Sequence, residues 1–572
     1  MAGSVSIVNF TGRFTSHIEQ KFWTRYAPLL LVLLFWWFRA LYGFNPSDDG
    51  FILSQSWRII HGEIPHVDFT SPRPLGSALI HAPFTLLPIA MLAVSRLFVL
   101  FQFYWIARMT VELVQTHEKA QKPWLQFAAI FSVFFLNIGT WPIMAWHTVD
   151  GIFLSMTALG LVKRNIKRSK LRWTEWVFPL LCAGYAPLVK QSFALVPVMI
   201  LIIVFLFGQK KTLLWLPIMG LPGFLFLILT SKTPGGFVAQ LHSGSSTELF
   251  SPAERVFELV YENHFWNSFN ALVVLIFVIW LVSIRLMLLS QTIALFMVFA
   301  AFFIAQNQDF SMFGSWSLYF ALVLFGVAGV YIRNAFEFVV TIAILGIGYC
   351  ASLSWGVNNP GLLGGTFAFL AFYQVASSMQ IDASRLRMVV SYVRIPIILG
   401  LAVFIACSTV ISRDRNTYVG PSKNLLNTTV EYSQFKFIKM SATSAAYIDS
   451  VGRCLAKYPA DKVAVLPDGP GMYPFFGLQN PFDSDWWFGA ERVPDKNARD
   501  IKTVDELNAS SGWLVLVQSY FVFDLATMKV EDVSKISNPF FHDAEDLQVM
   551  SALQGEDVVC DSFTGKYRPR GS

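Results

Sequence analysis

The residues best suited to chemistry are two adjacent acids, Asp48 and Asp49, in the run Asn45-Pro46-Ser47-Asp48-Asp49-Gly50. They stand where the first long apolar stretch ends. Two neighbouring carboxylates at a low-dielectric boundary do not ionise independently. One can serve as a base, or both can hold a divalent cation such as Mg, Mn or Ca. The plainer alternative is a helix cap, because Ser47-Asp48-Asp49 is also a good N-terminus for a helix over 50–60. Arg58, His66 and Asp68 follow in the same loop. His147, with Asp150 one turn on, is a candidate ligand or proton shuttle, though pairing with a carboxylate at a membrane boundary explains it as well. Lys190, beside Gln191, ends an apolar helix. A cation placed there suits a phosphate, and snorkelling to the interface is the alternative. Asp309 and Asn358 add polar groups in later loops, which also read as plain helix connections.

Other chemistries lack their signatures. The chain has no P-loop, no dinucleotide glycine motif, no HExxH and no paired CxxC, so nucleotide-driven and zinc chemistry are not expected.

The elements that must position these residues are membrane helices. Of 572 residues, 54% are hydrophobic and 14% charged, against about 25% charged in a soluble domain. So little charge cannot cover a soluble protein of this size. The net charge of +6 is spread among loops, so it bears on orientation and not on nucleic acid. Apolar runs predict about thirteen transmembrane helices: 27–44, 95–113, 124–141, 147–163, 174–190, 193–209, 212–230, 267–285, 288–305, 315–332, 336–353, 361–378 and 394–411. The N-terminal run carries no cleavage site and reads as a span that stays. The segment 75–95, interrupted by Pro83 and Pro88, is either a span or an interfacial helix, and the choice sets the parity downstream. Basic residues decide it. If 75–95 does not cross, Arg13, Lys21 and Arg25, the Lys163–Arg172 run, Lys210, Lys211 and Arg333 all share one side, which is then cytoplasmic. Asp48, Asp49, His147, Lys190, Asp309 and Asn358 all fall on the opposite, external side. A protein of the inner (plasma) membrane is expected, with a cytoplasmic N-terminus.

Residues 1–411 form the transmembrane domain. Residues 412–572 differ in kind, being polar and mixed in sign, with strand-like runs at 463–466 and 513–517. They predict an external soluble α/β domain. Cys454 and Cys560 are the only cysteines in it, and an oxidising compartment predicts that they form a disulfide.

Three patches resemble a known family. Asp48-Asp49-Gly50, then Gly62-Glu63-Ile64-Pro65-His66-Val67-Asp68-Phe69, then Pro72-Arg73-Pro74-Leu75-Gly76, resemble the first external loop of GT-C superfamily glycosyltransferases. Leu188–Phe193 resembles the family's Lys-Gln helix end. Lys462–Phe482, with Leu466-Pro467-Asp468-Gly469-Pro470-Gly471, resembles the tail of bacterial members. His66 stands where Tyr is common, and Asp49 where Glu is common.

The resemblance implies a transferase that moves one sugar from a polyprenyl-phosphate donor to a glycan or glycolipid acceptor at the external face, with inversion. It implies Asp48 as base, with Asp49 orienting it or sharing a cation with it. Lys190, aided by Arg58, would meet the donor phosphate, and membrane lipids would surround the spans. His66, Asp68, His147, Gln191 and Asn358 are further candidates. A flippase of lipid-linked glycans and a glycan polymerase or ligase are the alternatives.

Overall fold

The computed structural model describes residues 22–114, 123–168, 172–230, 234–241, 332–353, 366–378, 423–487, 493–518 and 551–571, with a few shorter pieces between them. The protein is mostly helical. Helix α1 (Ala27–Phe35) is flanked by wider turns at Phe22–Tyr26 and Trp36–Ala40. The first loop then folds into two helices, α2 (Asp48–Ile60) and α3 (Gly76–Thr85). Helix α2 has its acids in the first turn and Arg58 in the last, the arrangement that suits the helix dipole.

The segment 75–95 is not one continuous helix. Helix α3 has 10 residues and contains Pro83, so it is about 15 Å long, half a hydrocarbon core. The chain breaks around Pro88 and restarts as α4 (Met91–Val114), 24 residues long. After it come α5 (Pro123–Thr140), α6 (His147–Lys167), α7 (Trp173–Val189), α8 (Leu195–Phe207), α9 (Gly220–Leu229), α10 (Pro234–Leu241), α11 (Ala335–Ser352) and α12 (Thr366–Ser378).

The structure describes only part of the expected set of spans. Four described helices are long and apolar enough to cross a membrane: Met91–Val114, Pro123–Thr140, Lys210–Leu229 (a 3-10 stretch running into α9) and Ala335–Ser352. Ala27–Ala40 and Gln191–Phe207 are apolar but shorter. Helix α6 has the length but carries Asp150, Lys163, Arg164 and Lys167, which dilute its hydropathy. The runs 267–285 and 288–305, and most of 315–332 and 394–411, lie outside the described residues.

The tail contains α13 (Ala442–Lys457), β1 (Lys462–Leu466), α14 (Met472–Phe476), α15 (Lys496–Asn508), β2 (Trp513–Gln518), the short pair β3 (Tyr520–Phe521) and β4 (Glu531–Asp532), β5 (Glu556–Cys560) and β6 (Phe563–Arg568). Four strands form a sheet in the order β1-β2-β6-β5. β1 and β2 run parallel and β6 pairs antiparallel to β2 and β5. The strands β1 and β2 are buried almost throughout, as the covered faces of a parallel pair require. Cys454 on α13 and Cys560 on β5 are joined, their Cα atoms 5.8 Å apart.

The tail is packed onto the first loop. One apolar cluster contains Leu41, Phe44, Phe51 and Leu53 from the loop with Phe435, Ile448, Met472 and Phe475 from the tail. The Phe44 ring lies 5.0 Å from Phe435 and 5.9 Å from Phe475. Trp57 donates its indole N–H to the Leu478 carbonyl at 2.9 Å.

Candidate active site

The acidic start of α2 is built from Asn45. Its side-chain carbonyl accepts the backbone N–H of Ser47 at 3.0 Å and of Asp48 at 3.4 Å. Ser47 makes no cap bond with its own side chain, so the cap falls to Asn45. Asp49 is buried. Its Oδ2 accepts from the Asn45 N–H at 2.9 Å and from Arg96 at 2.8 Å. Its Oδ1 is buried with no hydrogen-bond partner. Burial pushes the Asp49 carboxyl above its ordinary range, against the pull of Arg96. Arg96 also donates to the carbonyls of Ala40 and Gly43, both at 2.8 Å. The two acids therefore differ: Asp49 is locked into the joint between α1, α2 and α4, and Asp48 is the less buried member.

A third carboxylate arrives from the tail. Strand β1 ends in the turn Leu466-Pro467-Asp468-Gly469-Pro470-Gly471. There Asp468 accepts hydrogen bonds from the side chains of Ser47 and Trp486. Burial, with the Asp48 charge added, pushes the Asp468 carboxyl up to about 7. Two glycines permit this approach. A Cβ on Gly50 would sit 1.9 Å from the Gly471 Cα, inside any contact distance. The Gly471 N–H donates to the Pro46 carbonyl at 3.3 Å.

Cations gather around His147. Helix α7 ends at Val189, and Lys190 takes an extended conformation before the single 3-10 turn Gln191–Ala194. Lys190 is buried, which removes snorkelling as its explanation. Its Nζ donates to Thr148 Oγ1 at 3.3 Å. Arg73 and Lys190 lie close enough to His147 and to each other for their charges to repel. The Arg73 guanidinium is 5.9 Å from the centre of the Phe51 ring, two residues past Asp49. His147 stacks on Trp146 at 4.8 Å, and its Nδ1 is buried with no hydrogen-bond partner. The carboxylate one turn on does not pair with it: Asp150 Oδ1 takes His81 Nε2 at 3.1 Å and Gln102 Nε2 at 2.6 Å.

The remaining sequence candidates sit as follows. Arg58 donates to Glu63 at 2.6 Å and to Asp485 at 2.9 Å, and also to the Phe482 carbonyl. A guanidinium balanced by two carboxylates joins loop to tail and is poorly placed to clamp a phosphate as well. His66 has a positive φ of 64°, packs edge-on to Phe237 and pairs Nδ1 with Gln240 Oε1 at 2.7 Å. Burial lowers its pKa to about 4, so the ring is neutral at pH 7. Asp68 accepts the Ile64 N–H at 2.7 Å and closes its own turn. Gln191 donates to the carbonyls of Pro72 and, at 3.4 Å, Leu241. Asp309 and Asn358 lie outside the described residues.

Of the two oxygens of Asp49, Oδ1 is the one left for a divalent cation. Asp49 Oδ2 is taken by Arg96. Among the described residues, the one set of three metal-type ligand groups within reach of one another is Cys454, Cys560 and Asp561, and its sulfurs are bonded to each other.

Three residues escaped the sequence reading. Arg96 announced itself as a charge inside an apolar run, an expensive placement that implies a partner. Arg73 stood inside the Pro72-Arg73-Pro74 patch without an assigned role. Asp468 stood in a recognised patch with no role, because only the folded tail brings it to Asp48. No protein-family model matches the chain and no curated protein matches it, so the reading of the site rests on its geometry.

Proposed function

We propose that the protein is an integral-membrane glycosyltransferase that moves a single sugar from a polyprenyl-phosphate donor to a hydroxyl of a glycan or glycolipid acceptor at the external face. The observation that carries the reading is the separation of charge at one end of the helices. Arg73 and Lys190 gather positive charge around His147, and Asp48 meets Asp468 at the start of α2. Lipid-phosphate sugar transfer needs those two poles: cations for the departing phosphate and a carboxylate for the incoming hydroxyl.

In this mechanism the acceptor oxygen attacks the anomeric carbon while its proton passes to the Asp48 carboxylate. The bond from the anomeric carbon to the phosphate oxygen breaks, and the electron pair leaves with the phosphate. Lys190 and Arg73 meet that charge, and Thr148 fixes the Lys190 ammonium. Direct attack with one base inverts the anomeric centre. Asp49, held by Arg96, sets the pitch of α2 and so places Asp48. Arg58 holds the tail against α2 and takes no part in the reaction. No step is routed through a metal ion.

A transporter of lipid-linked sugar is the second reading. One observation favours it: the His81, Asp150 and Gln102 group buried among α3, α6 and α4, since ionisable groups within a helix bundle often serve ion coupling. The test is transfer of labelled sugar from a panel of polyprenyl-phosphate sugars by the purified protein in bilayers. A new glycosidic bond supports the transferase. Movement of intact donor across the bilayer without bond formation would replace it with the transporter, and transfer of whole glycans would replace it with the polymerase or ligase.

A further inference from the structure

The foot of the tail is basic and apolar at once. Residues 423–440 carry three lysines, Lys423, Lys436 and Lys439, and one carboxylate, Glu431. The segment folds back on itself, because Thr428 and Met440 exchange backbone hydrogen bonds at 3.1 and 2.8 Å. It is tied to the membrane body at two points. The Lys439 N–H donates to the Leu41 carbonyl and the Gly43 N–H to the Lys439 carbonyl, both at 2.8 Å. The Ser433 carbonyl accepts the Ala90 N–H at 2.8 Å, and the Gln434 amide donates to the carbonyls of Leu87 and Pro88. These ties set the depth of the segment. Residues 41–43 directly follow the apolar helix Ala27–Ala40, whose last turn leaves Trp37 and Phe38 exposed. Exposed aromatic side chains at the end of an apolar helix mark headgroup level in a bilayer.

At that level cations and apolar side chains face outward together. The Lys423 and Lys439 ammonium groups lie 4.7 and 5.5 Å from the centre of one ring, that of Tyr42. Lys436 lies 5.4 Å from the centre of the Phe437 ring. Lys436 and Lys439 are exposed, and none of the three lysines is in an ion pair with a described residue. Phe437 is 49% exposed and is held at a φ of 74°, where aromatic residues seldom sit. Leu425 is exposed in the same segment, as are Leu86 and Ile89 beside the second tie. Two like charges drawn to one ring repel, and an anion between them removes that repulsion. A soluble phosphate would answer the lysines and leave the apolar side chains in water. A lipid answers both, being anionic at its head and apolar beneath.

We propose that residues 423–440 and Tyr42 form a binding site for the headgroup of an anionic phospholipid in the leaflet that faces the tail. Lys423 and Lys439 take the lipid phosphate beside the Tyr42 ring, Lys436 meets a neighbouring headgroup, and Phe437 and Leu425 enter the layer beneath. Through the pairing of Lys439 with residues 41–43, the lipid anchors the foot of the tail to the start of the first loop. This goes beyond the transferase reading and does not depend on it.

The test uses the full-length protein in phosphatidylcholine nanodiscs that hold a small fraction of a photoactivatable probe. The probe is phosphatidylglycerol in one arm and phosphatidylcholine in the other, with the reactive group at the same position near the glycerol. Labelled peptides are mapped by mass spectrometry after illumination. In the wild type, peptides from 423–440 should favour the phosphatidylglycerol probe by about 10–100-fold at low salt, since each lysine near an anionic surface is worth about fivefold. The preference should shrink at high salt, because the screening length falls to about 3 Å at 1 M. Lys423→Gln, Lys436→Gln and Lys439→Gln combined should bring the two probes level, and arginine at the same three positions should restore the preference. Phe437→Ser should lower labelling by both probes and leave their ratio unchanged. Equal labelling by the two probes in the wild type would overturn the proposal, and that comparison needs no variant. A triple glutamine variant that keeps the preference would also overturn it. So would loss of the preference on adding millimolar glycerol phosphate, which makes the patch a site for soluble phosphate, or displacement of both probes by a polyglutamate peptide, which makes it a site for an acidic protein. Labelling is read without turnover, so absence of sugar transfer would remove the transferase reading and leave the lipid site standing, and equal labelling would do the reverse.

Discussion

The two ends of helix α6 treat charge in opposite ways. At its C-terminal end, Lys163 donates to Glu337 at 2.5 Å and to the Leu113 carbonyl at 2.7 Å. Lys167 meets the other oxygen of Glu337 at 2.5 Å. Arg164 pairs with Glu112, which Arg108 also reaches at 3.0 Å. Cations and carboxylates alternate there, and each finds its opposite. At the N-terminal end of the same 21-residue helix Lys190 and Arg73 gather around His147, and at the start of α2 Asp48 lies beside Asp468. Matched buried pairs can be traded for apolar residues at little cost. Gathered like charges lower stability, and such arrangements cluster where charge must be met during a reaction. On the transferase proposal, the contrast gives α6 one structural end and one functional end.

Substitutions should sort by end. The largest effect belongs to Asp48→Asn, which keeps size but removes the base; transfer should fall by about 10²–10⁴-fold with folding intact, read as single-turnover rate in purified protein. Lys190→Ala should cost about 10²–10³-fold in kcat/KM for the donor and leave acceptor KM nearly unchanged, because its partner is the phosphate. At the other end, Glu337→Gln should leave the rate per folded molecule alone and lower thermal stability, by about 3–5 kcal/mol for stranding Lys163. The double variant Lys163→Met with Glu337→Leu should recover most of that loss.

Smaller effects concern the tail. Cys454→Ser with Cys560→Ser opens a loop of 106 residues and should cost about 2–5 kcal/mol, read as earlier proteolysis of the tail. Asp468 has a pH signature. Its pKa is about 7 in the folded protein, above the ordinary 3.8. Between those values the folded state binds more protons than the unfolded state, so stability falls as pH rises from about 4 to about 7. Asp468→Asn removes that fall. It should unfold at higher temperature than the wild type at pH 8 and show no such advantage at pH 4.

What the sequence makes legible is what local pattern controls. The strands at 463–466 and 513–517 appear as β1 and β2 because continuous apolar runs flanked by turns leave little choice. The break in 75–95 follows from Pro83 and Pro88. The acid pair and Lys190 were visible as charges at the ends of apolar runs. The parts that were not legible depend on contacts between residues distant in sequence. Arg58 reads as a loop cation until Asp485, more than 400 positions later, is found against it. His147 and Asp150 sit one turn apart and invite pairing, yet Asp150 is taken by His81 from α3. Asp49 and Asp48 are indistinguishable in sequence, and only Arg96 separates the buried anchor from its less buried neighbour. Among the described residues fewer runs than expected meet the length and hydropathy of a span, because α8 is short and α6 carries charges.

The most direct test of the contrast along α6 compares Asp48→Asn with the Lys163→Met, Glu337→Leu pair in one assay. Both are purified, reconstituted in the same bilayer and supplied with the same panel of polyprenyl-phosphate sugars, with transfer normalised to folded protein. The account predicts a folded, inactive Asp48→Asn and a double variant that transfers at close to the wild-type rate. Near-normal transfer by Asp48→Asn would contradict it, leaving that carboxylate a helix-end charge and the site to be sought elsewhere.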